Sequence, residues 1–255
     1  MDRSGIRGGQ NLRSTATALT VVIPVYNEAE NILRTLAELE RHLPEPAGVL
    51  VVYDFPEDNT LPALEGFKSE KLMLEPTLNT YGRGAVNAIR FGLDHATSRA
   101  ILVIMGDLSD DLSVLPSMLE SVRDGAAVVC GSRYMKGGRQ FGGPWFKKLL
   151  SRMAGVSLRY VVGFPTHDVT NSFKMYTRKV LDSINIESRG GFEIGMEIVV
   201  KAWMKGYKIT EVPAIWRDRE AGQSNFKLWA WLPSYLRWYF LAIRHRWLGG
   251  IRGNV

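Results

Sequence analysis

The sequence predicts an α/β protein: a mostly parallel sheet flanked by helices, with amphipathic helices at its C-terminal end. Three observations predict this. From Thr20 onward, short apolar runs alternate with segments of helical period, the pattern of right-handed βαβ units. The apolar runs are continuous and β-branched, as strands covered on both faces require. The chain has 255 residues, 45% apolar and 23% charged, which is enough to bury a sizeable core and excludes disordered, collagen-like and coiled-coil chains.

The elements follow in order. Residues 1–18 are rich in Gly, Ser, Thr and Arg and have no apolar centre, so they read as a loose arm rather than a secretion signal. Thr20–Val25 is the first strand. Asn27 then fits a helix cap, with Glu30 three residues on and Ile32, Leu36, Leu39 and Leu43 at helical spacing. Val49–Tyr53 is a second strand and Leu72–Leu74 a weak third. Gly84–Ala96 is helical, with Val86, Ile89 and Leu93 on one stripe. Ile101–Met105 and Ala126–Cys130 are the fourth and fifth strands. Lys136–Gly143 is glycine-rich and reads as a mobile loop. Helices are expected at Trp145–Val162 and Gly191–Lys205, with a strand at Lys208–Val212. The expected division is an arm at 1–18, one α/β domain at 19–228 and an amphipathic tail at 229–255.

Ligands of such sheets bind beyond the carboxyl ends of the strands, so the segments after each strand carry the functional signal. The first ends in Pro24-Val25-Tyr26-Asn27-Glu28. This is either a plain turn and cap or a helix N-terminus whose free N–H groups hold an anion. Asp54 abuts the second strand and suits a hydrogen bond to a base or ribose, whereas Asp58 fits a helix cap. The fourth strand is followed by Gly106-Asp107-Leu108-Ser109-Asp110-Asp111. Three aspartates in five residues form a hard-oxygen cluster suited to Mg²⁺ or Mn²⁺ beside a diphosphate. The fifth delivers Arg133, whose fork suits phosphate oxygens. Asp168–Lys174 and Asp218–Ser224 are further polar clusters.

Several chemistries are excluded. One cysteine, Cys130, rules out a disulfide framework and fits a reducing compartment. There is no GxxxxGK[ST] and no HExxH. Gly82-Arg83-Gly84 carries Asn87 where a dinucleotide fingerprint needs its third glycine. The net charge of +6 is uneven: residues 201–255 hold ten Lys/Arg against three Asp/Glu. Trp229–Ile251 sets Trp, Tyr and long aliphatics among arginines, which suits an interfacial helix at an anionic membrane and not a nucleic-acid surface. Pro233 is expected to divide it into two short segments. Closure of these aromatics over the sheet as ordinary core, or a dimer contact, is the alternative.

In their order along the chain, these segments resemble family 2 glycosyltransferases of the GT-A (Rossmann-like) fold, closest to the dolichyl-phosphate mannosyltransferase-like group. The resemblance covers about Thr20–Leu228 and rests on seven segments: Val22–Glu28, Asp54 with Asp58-Asn59-Thr60, Gly82-Arg83-Gly84-Ala85, Gly106–Ser109, Gly131–Tyr134, Asp168–Phe173 and Arg219–Ser224. It implies inverting transfer of a hexose, of mannose or glucose type, from a GDP- or UDP-linked sugar to a polyprenyl phosphate. The location implied is the cytoplasmic face of a membrane. It implies that Pro24, Tyr26, Glu28, Asp54 and Arg83 line the nucleotide pocket. Asp107 would hold Mg²⁺ or Mn²⁺ with Ser109 and Asp111, Arg133 and Arg219 would bind phosphate, and Asp168 would sit near the acceptor. Another lipid or saccharide hydroxyl as acceptor, or an inactive nucleotide- or lipid-binding homologue, are the alternatives. Two departures stand out. Met105 occupies the place of the first aspartate of the family's Asp-x-Asp metal motif, and Phe55-Pro56-Glu57 replaces its usual Asp-Gly-Ser.

Overall fold

The structure, a computed structural model, describes residues 17–219 and 228–249. Nine strands and eight α-helices occur among them. A seven-stranded sheet is built from β1 (Leu19–Pro24), β2 (Ala47–Tyr53), β3 (Leu72–Leu78), β4 (Ala100–Val103), β5 (Val128–Ser132), β7 (Lys174–Thr177) and β8 (Ile209–Pro213). Its order is β3-β2-β1-β4-β7-β5-β8. All neighbouring pairs are parallel except β7, which runs antiparallel to both β4 and β5. The helices are α1 (Ile32–His42), α2 (Thr60–Leu64), α3 (Ala85–His95), α4 (Leu115–Arg123), α5 (Trp145–Val162), α6 (Arg178–Asp182), α7 (Ile194–Met204) and α8 (Leu228–Arg244).

Alternate residues of β1 serve opposite faces. Val21 and Ile23 pack with Ile32, Leu36 and Leu39 of α1 and with Leu115 and Met118 of α4. Val22 faces the other side, against α3, in the core that α7 and the inner face of α8 complete. Both faces are covered, which is why these strands read as unbroken apolar runs.

Four expectations are corrected. Helix α1 begins at Ile32, not after a cap at Asn27. Asn27 lies at φ 57°, and its N–H is taken by the Asp58 carboxylate at 3.2 Å. The next two N–H groups go to Thr60 Oγ1 at 2.9 Å and Asn59 Oδ1 at 3.1 Å. The loop after β2 therefore consumes the donors that were candidates for an anion. The glycine-rich 136–143 segment is ordered by a second, two-stranded sheet, in which β6 (Arg139–Phe141) pairs in parallel with β9 (Ile215–Arg217). Strand β7 was not anticipated at all. Finally, α8 runs through Pro233, its sixth residue, without a break, although the proline leaves the Trp229 carbonyl without its i+4 donor. Trp238 and Ala242 of α8 are core residues, while Trp229 and Phe240 remain exposed, so the helix is half core and half surface. No helix among the described residues is long and apolar enough to cross a membrane.

Candidate active site

The carboxyl ends of β1, β2, β4 and β5 open on one rim. Because β7 is antiparallel, it starts at that same rim and brings the Asp168–Asn171 loop to it. Thr35 of α1 braces the rim, its Oγ1 donating to the Gly106 carbonyl at 3.0 Å.

One end of the rim gathers aromatic and cationic side chains. Asp54 accepts from Asn79 Nδ2 at 2.8 Å and from the Gly84 N–H at 2.7 Å. It thus holds the Gly82-Arg83-Gly84 loop, whose glycines lie at φ 100° and 116°, a conformation costly for residues with a Cβ. The loop carries Arg83 over the Phe55 ring at 5.3 Å. Tyr26, half exposed after Pro24, meets Phe55 edge-on at 5.5 Å. Phe55, a departure from the family pattern, is the centre of this aromatic and cationic cluster.

The middle of the rim carries the acids. Leu108 lies at φ 61°, a turn strained for a side chain of this kind. It lets the Ser109 N–H donate to Asp107 Oδ1 at 3.1 Å. Asp107 is buried, and its Oδ2 pairs with Arg219 Nη2 at 2.7 Å. Arg219 Nη1 lies 3.7 Å from Glu28 Oε1. Burial raises the Glu28 pKa against the opposing Asn31 hydrogen bond, and the Asp107 charge adds to the rise.

The predicted metal ligands Asp107, Ser109 and Asp111 do not form a cation shell. Asp111 is committed elsewhere: Oδ1 takes the Ser113 N–H and hydroxyl, and Oδ2 the Ile215 N–H at 3.3 Å. Asp110 accepts the Met105 N–H at 3.2 Å, and desolvation, with the Asp107 charge second, pushes its carboxyl up to about 7. Met105 supplies no hard oxygen. Among the described residues no group of three or more His, Cys, Asp or Glu is placed to hold a metal. Sites of this kind hold Mg²⁺ or Mn²⁺ with one or two carboxylates beside substrate phosphates, and here Asp107, the acid at that position, is already paired with Arg219.

At the other end, Arg133 and Asp168 are brought together as one buried pair. Arg133 donates from Nε to Asp168 Oδ2 at 2.6 Å, from Nη2 to Oδ1 at 2.9 Å and from its backbone N–H at 3.0 Å. Burial works to raise the Asp168 pKa, but the Arg133 charge and hydrogen bonds outweigh it and hold the carboxyl below the ordinary range. The pair thus fixes the carboxylate on Arg133 through both of its oxygens. Next to the pair is a cavity of about 380 Å³ lined by Arg133, Tyr134, Arg139, Gln140, Lys148 and Arg152 among others, with no acidic residue in its wall. Lys148 and Arg152 stand one turn apart on α5, an i, i+4 spacing that the sequence carries. Glu220–Ser224, named with Arg219, lie outside the described residues.

Comparison with known proteins agrees with this arrangement. Residues 20–184 match the family model described as glycosyl transferase family 2. Polyprenol monophosphomannose synthase of Mycolicibacterium smegmatis is 29% identical over 216 residues, covering 80% of this chain and 79% of that protein. Dolichol-phosphate mannosyltransferase of Pyrococcus furiosus is 28% identical over 214 residues, covering 82% of this chain; the match spans only 59% of the archaeal protein. Among solved structures, glucosyl-3-phosphoglycerate synthase from Mycobacterium tuberculosis with UDP superposes at a TM-score of 0.62 with 15% identity, covering 95% of this chain and 86% of that one. The same enzyme with Mn²⁺, UDP and glucosyl-3-phosphoglycerate gives 0.60 at 15% identity, with the same coverage of both chains. Staphylococcus aureus TarS 1-349 with UDP-GlcNAc gives 0.62 at 19% identity, covering 91% and 68%. The sheet order, the loops gathered on one rim and the matched sequence have a single account: the fold is GT-A, and the chain belongs to glycosyl transferase family 2.

Proposed function

We propose that the protein transfers a hexose from a GDP- or UDP-linked sugar to a polyprenyl phosphate at a membrane surface. The observation that carries this reading is the basic cavity, with four cations and no acid in its wall, beside a helix whose outer face is apolar. Helix α5 supplies Lys148 and Arg152 to the cavity, yet exposes Trp145 at 75%, Met153 at 57% and Tyr160 at 79%. Helix α8 packs beside it, with Ser157 and Tyr239 hydroxyls 2.9 Å apart, and exposes Trp229 and Phe240, as the turn that follows it, His245–Gly249, exposes Trp247. Aromatics on one face with Lys and Arg at its border suit the headgroup region of an anionic bilayer, where a polyprenyl phosphate resides. The two relatives named for polyprenol and dolichol phosphate mannose synthesis support the same acceptor class, and the cytoplasmic face is the side proposed.

The chemistry follows from the charges. An acceptor phosphate oxygen forms a bond to the anomeric carbon as the bond from that carbon to the donor diphosphate breaks. The electron pair departs on the nucleoside diphosphate, and the anomeric centre inverts. A phosphate monoester is already ionised at neutral pH, so no strong base is needed, in keeping with the locked state of Asp168. Arg133, Lys148 and Arg152 would bind the acceptor. Tyr26, Phe55 and Arg83 would pack against the base, with Asp54 holding the loop that carries Arg83. Preorganised positive charge facing the developing diphosphate supplies the main electrostatic stabilisation.

The test is nucleoside-diphosphate release from GDP-mannose and UDP-glucose, with and without a short polyprenyl phosphate in vesicles. Release that depends on the lipid is expected with one donor. Release onto a saccharide hydroxyl, with polyprenyl phosphate inert, would overturn the acceptor assignment.

A further inference from the structure

We infer that this chain meets the charge of the donor diphosphate with the Arg219 guanidinium, held in place by Asp107, where a divalent cation would otherwise serve. The inference rests on the donor pocket proposed above and deepens it. Arg219 spans the two carboxylates of the rim, 2.7 Å from Asp107 and 3.7 Å from Glu28. It therefore sets a fixed positive charge between the two carboxylates. The acids that would complete a metal shell are unavailable in three separate ways. Position 105 is a thioether, Asp111 spends both oxygens on the backbone and hydroxyl groups of neighbouring loops, and Asp110 is tied to the Met105 N–H.

An arginine suits the task that remains. Its planar fork carries N–H donors in a geometry that suits phosphate oxygens, and it stays charged at any working pH. Asp107 then acts as a positioning residue, aiming the guanidinium, and not as a metal ligand. Met105 is consistent with that arrangement, since a second carboxylate there would compete with the diphosphate for Arg219.

The experiment uses the full chain, stripped with chelator, and titrates UDP and GDP by calorimetry with and without Mn²⁺. Electron paramagnetic resonance of Mn²⁺ in the same mixtures reports whether the ion is bound by protein. Expected are nucleotide affinity altered no more than about twofold by chelator, and a loss of about 10- to 100-fold in Arg219→Ala, the size of a charge-assisted contact. Met105→Asp is expected to create Mn²⁺-dependent nucleotide binding and a melting temperature that rises with Mn²⁺. Should that variant fail to fold, the wild-type resonance arm decides alone. Nucleotide binding lost to chelator and restored by Mn²⁺, with a protein-bound signal, overturns the inference and leaves the donor pocket standing. Binding of neither nucleotide in either arm overturns the pocket and the inference together.

Discussion

Replacing Asp168 by alanine separates a structural carboxylate from a chemical one. The side chain is fully buried and takes three hydrogen bonds from Arg133 and one from the Asn171 N–H. Its removal strands a guanidinium whose side chain is only 10% exposed. Breaking a buried pair by deleting one partner costs about 3–5 kcal/mol. At about 2–4 °C per kcal/mol for a chain of this size, the melting temperature falls by roughly 6–20 °C. The double variant Arg133→Met/Asp168→Ala recovers part of that loss, because it leaves no charge unpaired. The pH dependence has a definite sign. A carboxylate whose folded pKa is depressed stabilises fully above its unfolded value, about 3.9, and loses the contribution as pH falls through the folded pKa. The gap between wild type and Asp168→Ala is therefore constant near neutrality and narrows in acid. Thermal and urea unfolding from pH 2 to 8 measure it. An Asp168→Ala protein that melts with the wild type while its turnover collapses would refute the structural reading and point to a chemical role for Asp168.

Four further outcomes are expected. Gly155→Ala gains about 1 kcal/mol of helix propensity, but its Cβ would lie 2.0 Å from the His167 carbonyl oxygen; a net loss of about 1–3 kcal/mol in urea unfolding is expected. Lys174 is buried with no hydrogen-bond partner for its ammonium, and desolvation lowers its pKa. Wild-type stability should therefore rise with pH between the folded pKa and the unfolded value near 10.4, a slope that Lys174→Met should lack while melting no lower at neutral pH. Arg83→Ala should weaken nucleotide binding about two- to fivefold in calorimetry, the worth of an exposed cation–π contact. Trp145→Ser/Trp229→Ser/Trp247→Ser should lower partition into anionic vesicles at least about 100-fold in flotation, with nucleotide binding unchanged.

The rim was legible where information is local. An apolar run followed by Asp54, Asp107 or Arg133 marks a strand and what it delivers, since the carboxyl end of a strand in a parallel sheet faces the ligand. Strand β7 was hidden because Lys174 interrupts its apolar run and because one antiparallel strand leaves no crossover helix to announce it. Strand β6 is three residues long, too short for a period, and exists only because β9, more than seventy residues further on, pairs with it. The helix through Trp145–Val162 was visible, but its division between a basic inner edge and an apolar outer face was not.

What the sequence by itself determined was the alternation of strands and helices, the composition of each strand end and the loss of a carboxylate at Met105. These depend on residues within a few positions of one another. Only the tertiary structure decided the pairings, Arg133 with Asp168, Arg219 with Asp107 and Asp58 with the Asn27 N–H, and the cavity beside the first of them. A charged side chain carries no record of its partner along the chain. Burial makes an unpaired charge costly, and the partner is set by which loops the sheet order brings to one edge.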